Sequence, residues 1–223
     1  MSSASSPPAP FSPVVERAIE LAAEWHDGTF RKGRWRPEPF DCPPGEAVRV
    51  PTMAHVTTVA LTVQRAGWGD EAVAAAFLHD TIEDANRYGE ALTAERLAAE
   101  VGEAVVRIVL AVTEPKRDAD GTPLPWRVRK EAYLAHLAAG PPEAAAVALA
   151  DKTHNAYSIA SSLEAGVDVF ASAPGRTALS ADGAAQLWFL RAARAATDHH
   201  ADPRLDGLRA QLDAQTERLA GLV

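Results

Sequence analysis

Val73-Ala-Ala-Ala-Phe-Leu-His-Asp-Thr-Ile-Glu-Asp84 decides the reading of this chain. Its first half, Val73 to Leu78, has no polar face, and a helix apolar all round is normally buried. His79, Asp80, Glu83 and Asp84 then follow. Four ionisable side chains at the end of a buried helix are costly unless compensated, and a bound metal ion compensates them. Neighbours on a helix point about 100° apart, so His79 and Asp80 share one ion only if it sits close to the helix surface. Glu83 and Asp84 fall one turn further on, below the same pair. Two carboxylates then stand beside a metal without being obligatory ligands, an arrangement suited to metal-assisted hydrolysis. A His-Asp pair alone is usually a chance surface pair. The apolar helix before it and the Glu-Asp after it raise its weight, and the remaining ligands must come from elsewhere.

The bulk properties fit that reading. The 223 residues suit one domain, and 47% of them are hydrophobic, enough for a substantial core. Abundant alanine and few aromatics favour close-packed helices. A single cysteine, Cys42, excludes an internal disulfide framework and a cysteine-rich zinc site, and it is compatible with a cytoplasmic location. The formal charge of -8 argues against a nucleic-acid polymer as partner. No apolar run approaches a membrane span. Met1 to Pro13, rich in Ser, Pro and Ala, reads as a disordered tail and not as a secretory signal.

In chain order, Val14 to His26 reads as an amphipathic helix. His26-Asp-Gly-Thr-Phe-Arg-Lys-Gly33 follows as a turn or loop. Arg31, Lys32, Arg34 and Arg36 form the densest basic patch of an acidic chain. The last two read as solvated. The first two read as contacts to an anion or a base, which suits arginine's planar fork. Pro37 to Pro51 is a proline-rich loop that could cover a ligand or merely decorate the surface.

Thr52 to Ala66 is a helix that Thr52 could cap, with His55 in its first turn near the apolar face. Thr93 starts a short helix. Helices follow at about Glu103–Val112 and Trp126–Ala139. Glu143 to about Ser162 is a second buried, alanine-rich helix carrying Asp151-Lys-Thr-His-Asn155. Val147, Asp151, His154, Asn155 and Ser158 share one face. Asp151 therefore enters the core side, where it needs a partner, a metal or a neighbouring cation. Asp182–Ala195 and Leu205–Leu222 are two further amphipathic helices without evident chemistry. No strand stands out, and no Gly-rich phosphate loop precedes a helix.

Taken together, His55, His79-Asp80 and Asp151 reproduce the H…HD…D order of the HD-domain phosphohydrolases. The likeness extends to the RelA/SpoT hydrolase domain. His26-Asp-Gly-Thr-Phe-Arg-Lys-Gly resembles its H-x-G-x-x-R-K-x-G opening, Pro51 to Ala60 its P-x-x-x-H-x-x-x-V-A helix, Leu78 to Asp84 its L-H-D-x-x-E-D motif, and Asp151-Lys-Thr-His-Asn155 its D-x-x-H-N motif. Val101-Gly-Glu-Ala-Val and Val112-Thr113 resemble the segment between. The matches run in order over roughly residues 20 to 160, which makes the combination specific although each motif alone is not. Too little chain remains for an alarmone synthetase domain, so the resemblance is to the stand-alone small alarmone hydrolases.

That resemblance implies an all-α, HD-domain helical bundle with a metal site between core helices. Residues 14–223 would form one domain, the last helices, about 180–223, being accessory to its motif-bearing core. It implies one manganese ion on His55, His79, Asp80 and Asp151. Nitrogen and oxygen donors equally suit other divalent metals, so the metal's identity comes from the family. It implies hydrolysis of the 3'-pyrophosphate of ppGpp or pppGpp, giving pyrophosphate and GDP or GTP. Glu83 and Asp84 would jointly serve the attacking water, Arg31 and Lys32 the purine and its surroundings, and Asn155 and Ser158 the ribose and nucleotide.

Departures from the family pattern leave these residues intact but alter the pocket walls. The loop after Lys32 is longer by about a dozen residues, and Val56, Thr52 and Ala85 stand where the family has proline, tyrosine and threonine. Adenosine-type alarmones and other 2'- or 3'-phosphorylated nucleotides are alternative substrates. A silent alarmone-binding module is the alternative from another class. The apolar stripes of the last two helices fit either a core cover or a homo-oligomer interface.

Overall fold

The computed structural model describes residues 10–36 and 48–223. Most of the tail and of the proline-rich loop, with Cys42, lies outside them. Among the described residues the chain is an all-α bundle carrying one short hairpin. Helix α1 (Pro13–Trp25) opens with proline at its first position, where the missing N–H costs nothing. Ala18, Ala22 and Trp25 lie on its buried face.

The expectation of no strand is wrong at one place. Phe30–Arg36 forms β1 and Val48–Pro51 forms β2, paired antiparallel with Trp35 opposite Arg49. Trp35 is buried, and its backbone N–H donates to Ser162 Oγ at 3.1 Å, which docks the hairpin on a long helix described below. Arg31, Lys32, Arg34 and Arg36 are therefore strand residues and not a loop.

Pro51 is the N-cap of α2 (Thr52–Arg65), so Thr52 does not cap it. Its N–H donates instead to the Thr29 carbonyl at 3.0 Å, tying the helix start to the hairpin. Helix α3 (Asp70–Leu78) is buried at every residue from Ala72 onward. It stops at Leu78, earlier than its sequence suggests. Thr81 turns back, and its N–H and Oγ both donate to the Leu78 carbonyl, at 3.0 and 2.7 Å. His79 to Asp84 therefore form turns beyond the helix, and Asp84 is exposed where a buried setting was expected.

Helices α4 (Ala94–Val101) and α5 (Glu103–Ala111) are separated by Gly102 alone. Its φ of 87° permits a break and restart within one residue. After α6 (Trp126–Ala139), α7 (Pro142–Glu164) runs through the middle of the bundle. Every residue from Ala144 to Lys152 is buried, and α7 packs against α2, α3, α9 and the hairpin. Small side chains let these backbones approach closely.

Asp182 caps α8 (Gly183–Ala195), its Oδ1 accepting from Ala185 N–H at 2.8 Å. Asp182→Ala is expected to cost about 1 kcal/mol and to lower the melting temperature by about 2–4 °C in a thermal melt. Helix α9 (Arg204–Ala220) buries Leu205, Leu208, Leu212 and Leu219 against the bundle, so its stripe covers the core. One apolar cluster draws residues from all of these helices.

Candidate metal centre and cleft

Two core helices and the turn that ends a third bring four side chains to one point. α2 supplies His55, the end of α3 supplies His79 and Asp80, and α7 supplies Asp151. The ligand atoms of His55, His79 and Asp80 all lie within 4.8 Å of one another. Asp80 approaches His79 Nε2 at 3.3 Å and His55 Nε2 at 3.7 Å. Asp151 Oδ1 stands 3.1 Å from His55 Nε2 and 3.6 Å from His79 Nε2. Donors about 2.1 Å from one ion stand about 3–4 Å apart, and these separations fall in that range.

Hydrogen bonding points the same way. Both Nε2 atoms are buried with no hydrogen-bond partner, despite the nearby carboxylates. The opposite nitrogen of His79, Nδ1, lies 2.8 Å from the Ala76 carbonyl. Nδ1 therefore carries a proton, and the neutral ring turns its Nε2 lone pair toward the cluster. Nδ1 of His55 meets Nδ1 of His154 at 2.7 Å. Two buried imidazole nitrogens without partners, flanked by two carboxylates, fit a divalent cation.

Charge is finely balanced among these side chains. Burial, with Arg31 adding to it, holds His55 well below the ordinary histidine value, so it is neutral. Burial also opposes the charge on His79, but Asp80 and Asp151 outweigh it and raise His79 to about 9. Burial would keep Asp151 protonated, yet Lys152 and the two histidines hold it well below the usual carboxylate range. Lys152 Nζ bonds Asp151 Oδ2 and lies over the Tyr133 and Phe189 rings at 4.5 and 5.3 Å. Neighbouring Asn155 donates to Asp151 Oδ1 at 2.8 Å and accepts from Arg31, whose other nitrogen reaches Asp80 at 3.4 Å.

A cleft of about 310 Å³ opens above this cluster, and Arg31, Lys152 and Asn155 in its lining each bond a cluster carboxylate. Its cations are Arg31, Lys32, Lys116, Arg129, Lys130 and Lys152, against the anions Glu83, Asp84 and Glu114. Six against three makes the wall positive in a chain of net charge -8. Ser158 is buried and contributes to the lining as well.

Glu83 and Asp84 share Lys116 but are not equivalent. The Glu114 N–H donates to Glu83 Oε2 at 3.2 Å, while Lys116 Nζ bonds the Glu83 carbonyl and Asp84 Oδ1, both at 2.7 Å. Burial pushes Glu83 up to about 7, with Asp80 and Glu114 adding to the effect and Lys116 opposing it. Asp84 has half its side-chain surface in solvent, against 22% for Glu83. A buried Glu114 carboxylate, paired with Arg129 and Lys130 of α6, anchors the loop that holds Glu83.

Sequence reasoning missed Lys116, Glu114 and Lys152, and it placed His154 on the face of Asp151 without giving it a role. Lys152 and His154 lie inside the quoted Asp151–Asn155 stretch, and a lysine beside Asp151 on a buried helix was the available signal. It also denied α8 any chemistry, whereas Gln186, Phe189 and Leu190 of α8 line the cleft.

Residues 45–173 match the HD domain family, more than half of the chain. The chain belongs to the HD domain family. Its fold is similar to that of lmo0812 from Listeria monocytogenes EGD-e, with 23% identity and a TM-score of 0.58 over 73% of this chain and 91% of that one. It is also similar to a metazoan orthologue of SpoT described as hydrolysing ppGpp and playing a role in starvation responses. That likeness has 21% identity and a TM-score of 0.59 and covers 98% of this chain and 100% of that one. No curated protein matches the chain. No helix of this HD-domain protein is long and apolar enough to cross a membrane, among the residues described.

Proposed function

We propose that this HD-domain protein is a metal-dependent phosphohydrolase that removes the 3'-pyrophosphate of ppGpp-type alarmones. The observation that carries the reading is the joining of a cation-fitting His55, His79, Asp80 and Asp151 cluster to a cleft whose wall is positive. A nucleotide bearing two pyrophosphates matches such a wall in an otherwise acidic protein. The alarmone itself is favoured by the ordered motifs from His26 to Asn155 and by the likeness in fold to the SpoT orthologue.

A divalent cation on the four side chains, manganese by the family resemblance, would polarise a phosphoryl oxygen and acidify water. The chain supplies the rest. Glu83 accepts from the Glu114 N–H at Oε2 and has Lys116 Nζ 3.7 Å from Oε1, so its carboxylate is held in place to receive the proton of the attacking water. A carboxylate near pH 7 is matched to that work. Asp84 acts through Lys116, which it holds beside Glu83. Arg31 and Lys32 on β1 face the purine and its surroundings, and Asn155 and Ser158 on α7 the ribose side. Lys116, Arg129 and Lys130 offer the remaining phosphates a cationic bed.

The test is a product assay with manganese on ppGpp, its adenosine counterpart and a 2'-phosphorylated dinucleotide, each with and without chelator. Chelator-sensitive release of pyrophosphate from ppGpp is expected. Pyrophosphate mainly from the adenosine compound moves the base preference. Orthophosphate from the dinucleotide alone sinks the alarmone reading.

Proton and metal compete at this site. Below pH 9 His79 of the metal-free protein is protonated, and uptake of the ion must displace that proton. Apparent Mn²⁺ affinity is therefore expected to rise about tenfold per pH unit between pH 6.5 and 8.5. Calorimetric titration in buffers of different ionisation enthalpy reads both the slope and the released proton.

A further inference from the structure

His154 lies three residues beyond Asp151 on α7 and has no part in the mechanism above. Its Nδ1 is 2.7 Å from Nδ1 of His55, with the rings 4.8 Å apart and tilted by 44°. At that distance the two nitrogens share one proton, one donating and the other accepting. The far side of His55 decides what the choice means. His55 Nε2 is buried, lacks a hydrogen-bond partner, and stands 3.1 Å from Asp151 Oδ1 and 3.7 Å from Asp80 Oδ2.

With the proton on His55 Nδ1, Nε2 turns a lone pair toward the cluster. With the proton on His154, neutral His55 carries its hydrogen on Nε2 and cannot ligate an ion. His79 meets the same requirement through the Ala76 carbonyl. For His55 the partner at Nδ1 is a side chain from another helix.

We propose that His154 is a positioning residue, which accepts the Nδ1 proton of His55 and so holds it in the tautomer whose Nε2 faces the ion. The inference rests on the metal reading of the cluster and is independent of which nucleotide is hydrolysed. It also explains the choice of residue. A carboxylate at this place would orient His55 equally well but would add a third negative charge beside Asp80 and Asp151. Histidine fixes the tautomer and leaves the charge of the cluster unchanged. One turn of α7 then supplies both Asp151 and the group that orients its fellow ligand on α2.

The test is titration of Mn²⁺ into the metal-free full chain as wild type, His154→Leu and His154→Asn. Asparagine places a carbonyl oxygen near the position of Nδ1, and leucine places no acceptor there. Affinity is expected to fall about 10–100-fold for His154→Leu, the usual loss when a ligand's orienting partner is removed. It is expected to stay within about threefold for His154→Asn. In the Zn²⁺-loaded wild type, the His55 Nδ1 proton is expected as a downfield, slowly exchanging resonance that His154→Leu abolishes. Wild-type affinity in the leucine variant overturns the proposal. So does an asparagine variant as weak as the leucine one at an unchanged melting temperature. Should His154→Leu not fold, the asparagine titration and the wild-type spectrum decide, and a rapidly exchanging His55 Nδ1 proton overturns it. Because these readouts follow the ion alone, failure to turn over ppGpp leaves them intact and removes only the proposed substrate.

Discussion

Glu83→Gln is expected to lower kcat by about 10²–10⁴-fold, the usual contribution of a positioned general base. Mn²⁺ affinity should stay close to wild type. The glutamine keeps the shape and the bond from Glu114 N–H but cannot take a proton. The pH profile adds a sign. A general base works ionised, and Glu83 ionises at about 7 in the metal-free protein. Activity should therefore rise with pH through an acidic limb, which the charge of a bound ion moves below 7. Lys116 pulls the Glu83 value down, so Lys116→Met should move the limb upward. Asp84→Asn should cost less than Glu83→Gln, because Asp84 is half-exposed and acts through Lys116. Rate profiles of the three variants from pH 5 to 9 check this ordering. Equal losses for Glu83→Gln and Asp84→Asn would return the pair to a joint role.

Asp151→Asn should abolish metal binding and also destabilise the fold by about 3–5 kcal/mol. The second effect comes from Lys152, which is buried on α7 beside the Tyr133 and Phe189 rings with Asp151 as its carboxylate partner. Asp151 raises the Lys152 value and keeps the ammonium charged despite burial. Loss of the carboxylate leaves that buried charge without its direct partner, with Glu83 more distant. At about 2–4 °C per kcal/mol for a chain of this size, the melting temperature should fall by roughly 6–20 °C. Asp151→Asn combined with Lys152→Met removes both charges and should recover most of the stability without recovering the metal. Thermal melts with and without Mn²⁺ separate the two effects. A single variant as stable as wild type would show that the pair contributes nothing to the fold.

The double role of Asp151 also explains how α8 bears on the site. Phe189 of α8 touches Lys152, and Lys152 holds Asp151 Oδ2, so that Oδ1 is turned toward the histidines. A helix that looks like a mere cover of the core thus packs against the partner of a candidate ligand.

The sequence by itself determined the helices and the buried character of α3 and α7, while the resemblance to the HD-domain motif order joined His55 and Asp151 to His79 and Asp80. Helical periodicity is local, since each turn is closed by residues four apart, and an apolar run ending in His-Asp can be read without its neighbours. Tertiary structure decided what depends on residues distant in the chain. The β1–β2 hairpin was invisible because Phe30–Arg36 has no alternation of its own and becomes a strand only by pairing with Val48–Pro51 and docking on Ser162. The end of α3 at Leu78 followed from the return of Thr81 to its carbonyl, and that early stop separated Glu83 from Asp84. The inequality of those two carboxylates arises from burial and from Glu114, some thirty residues away, which no spacing within Leu78–Asp84 encodes. The tautomer of His55 likewise depends on His154, ninety-nine positions further along. Local order reveals which groups carry the chemistry. Their protonation, orientation and pairing are set by burial and by charges that only the packed bundle brings near.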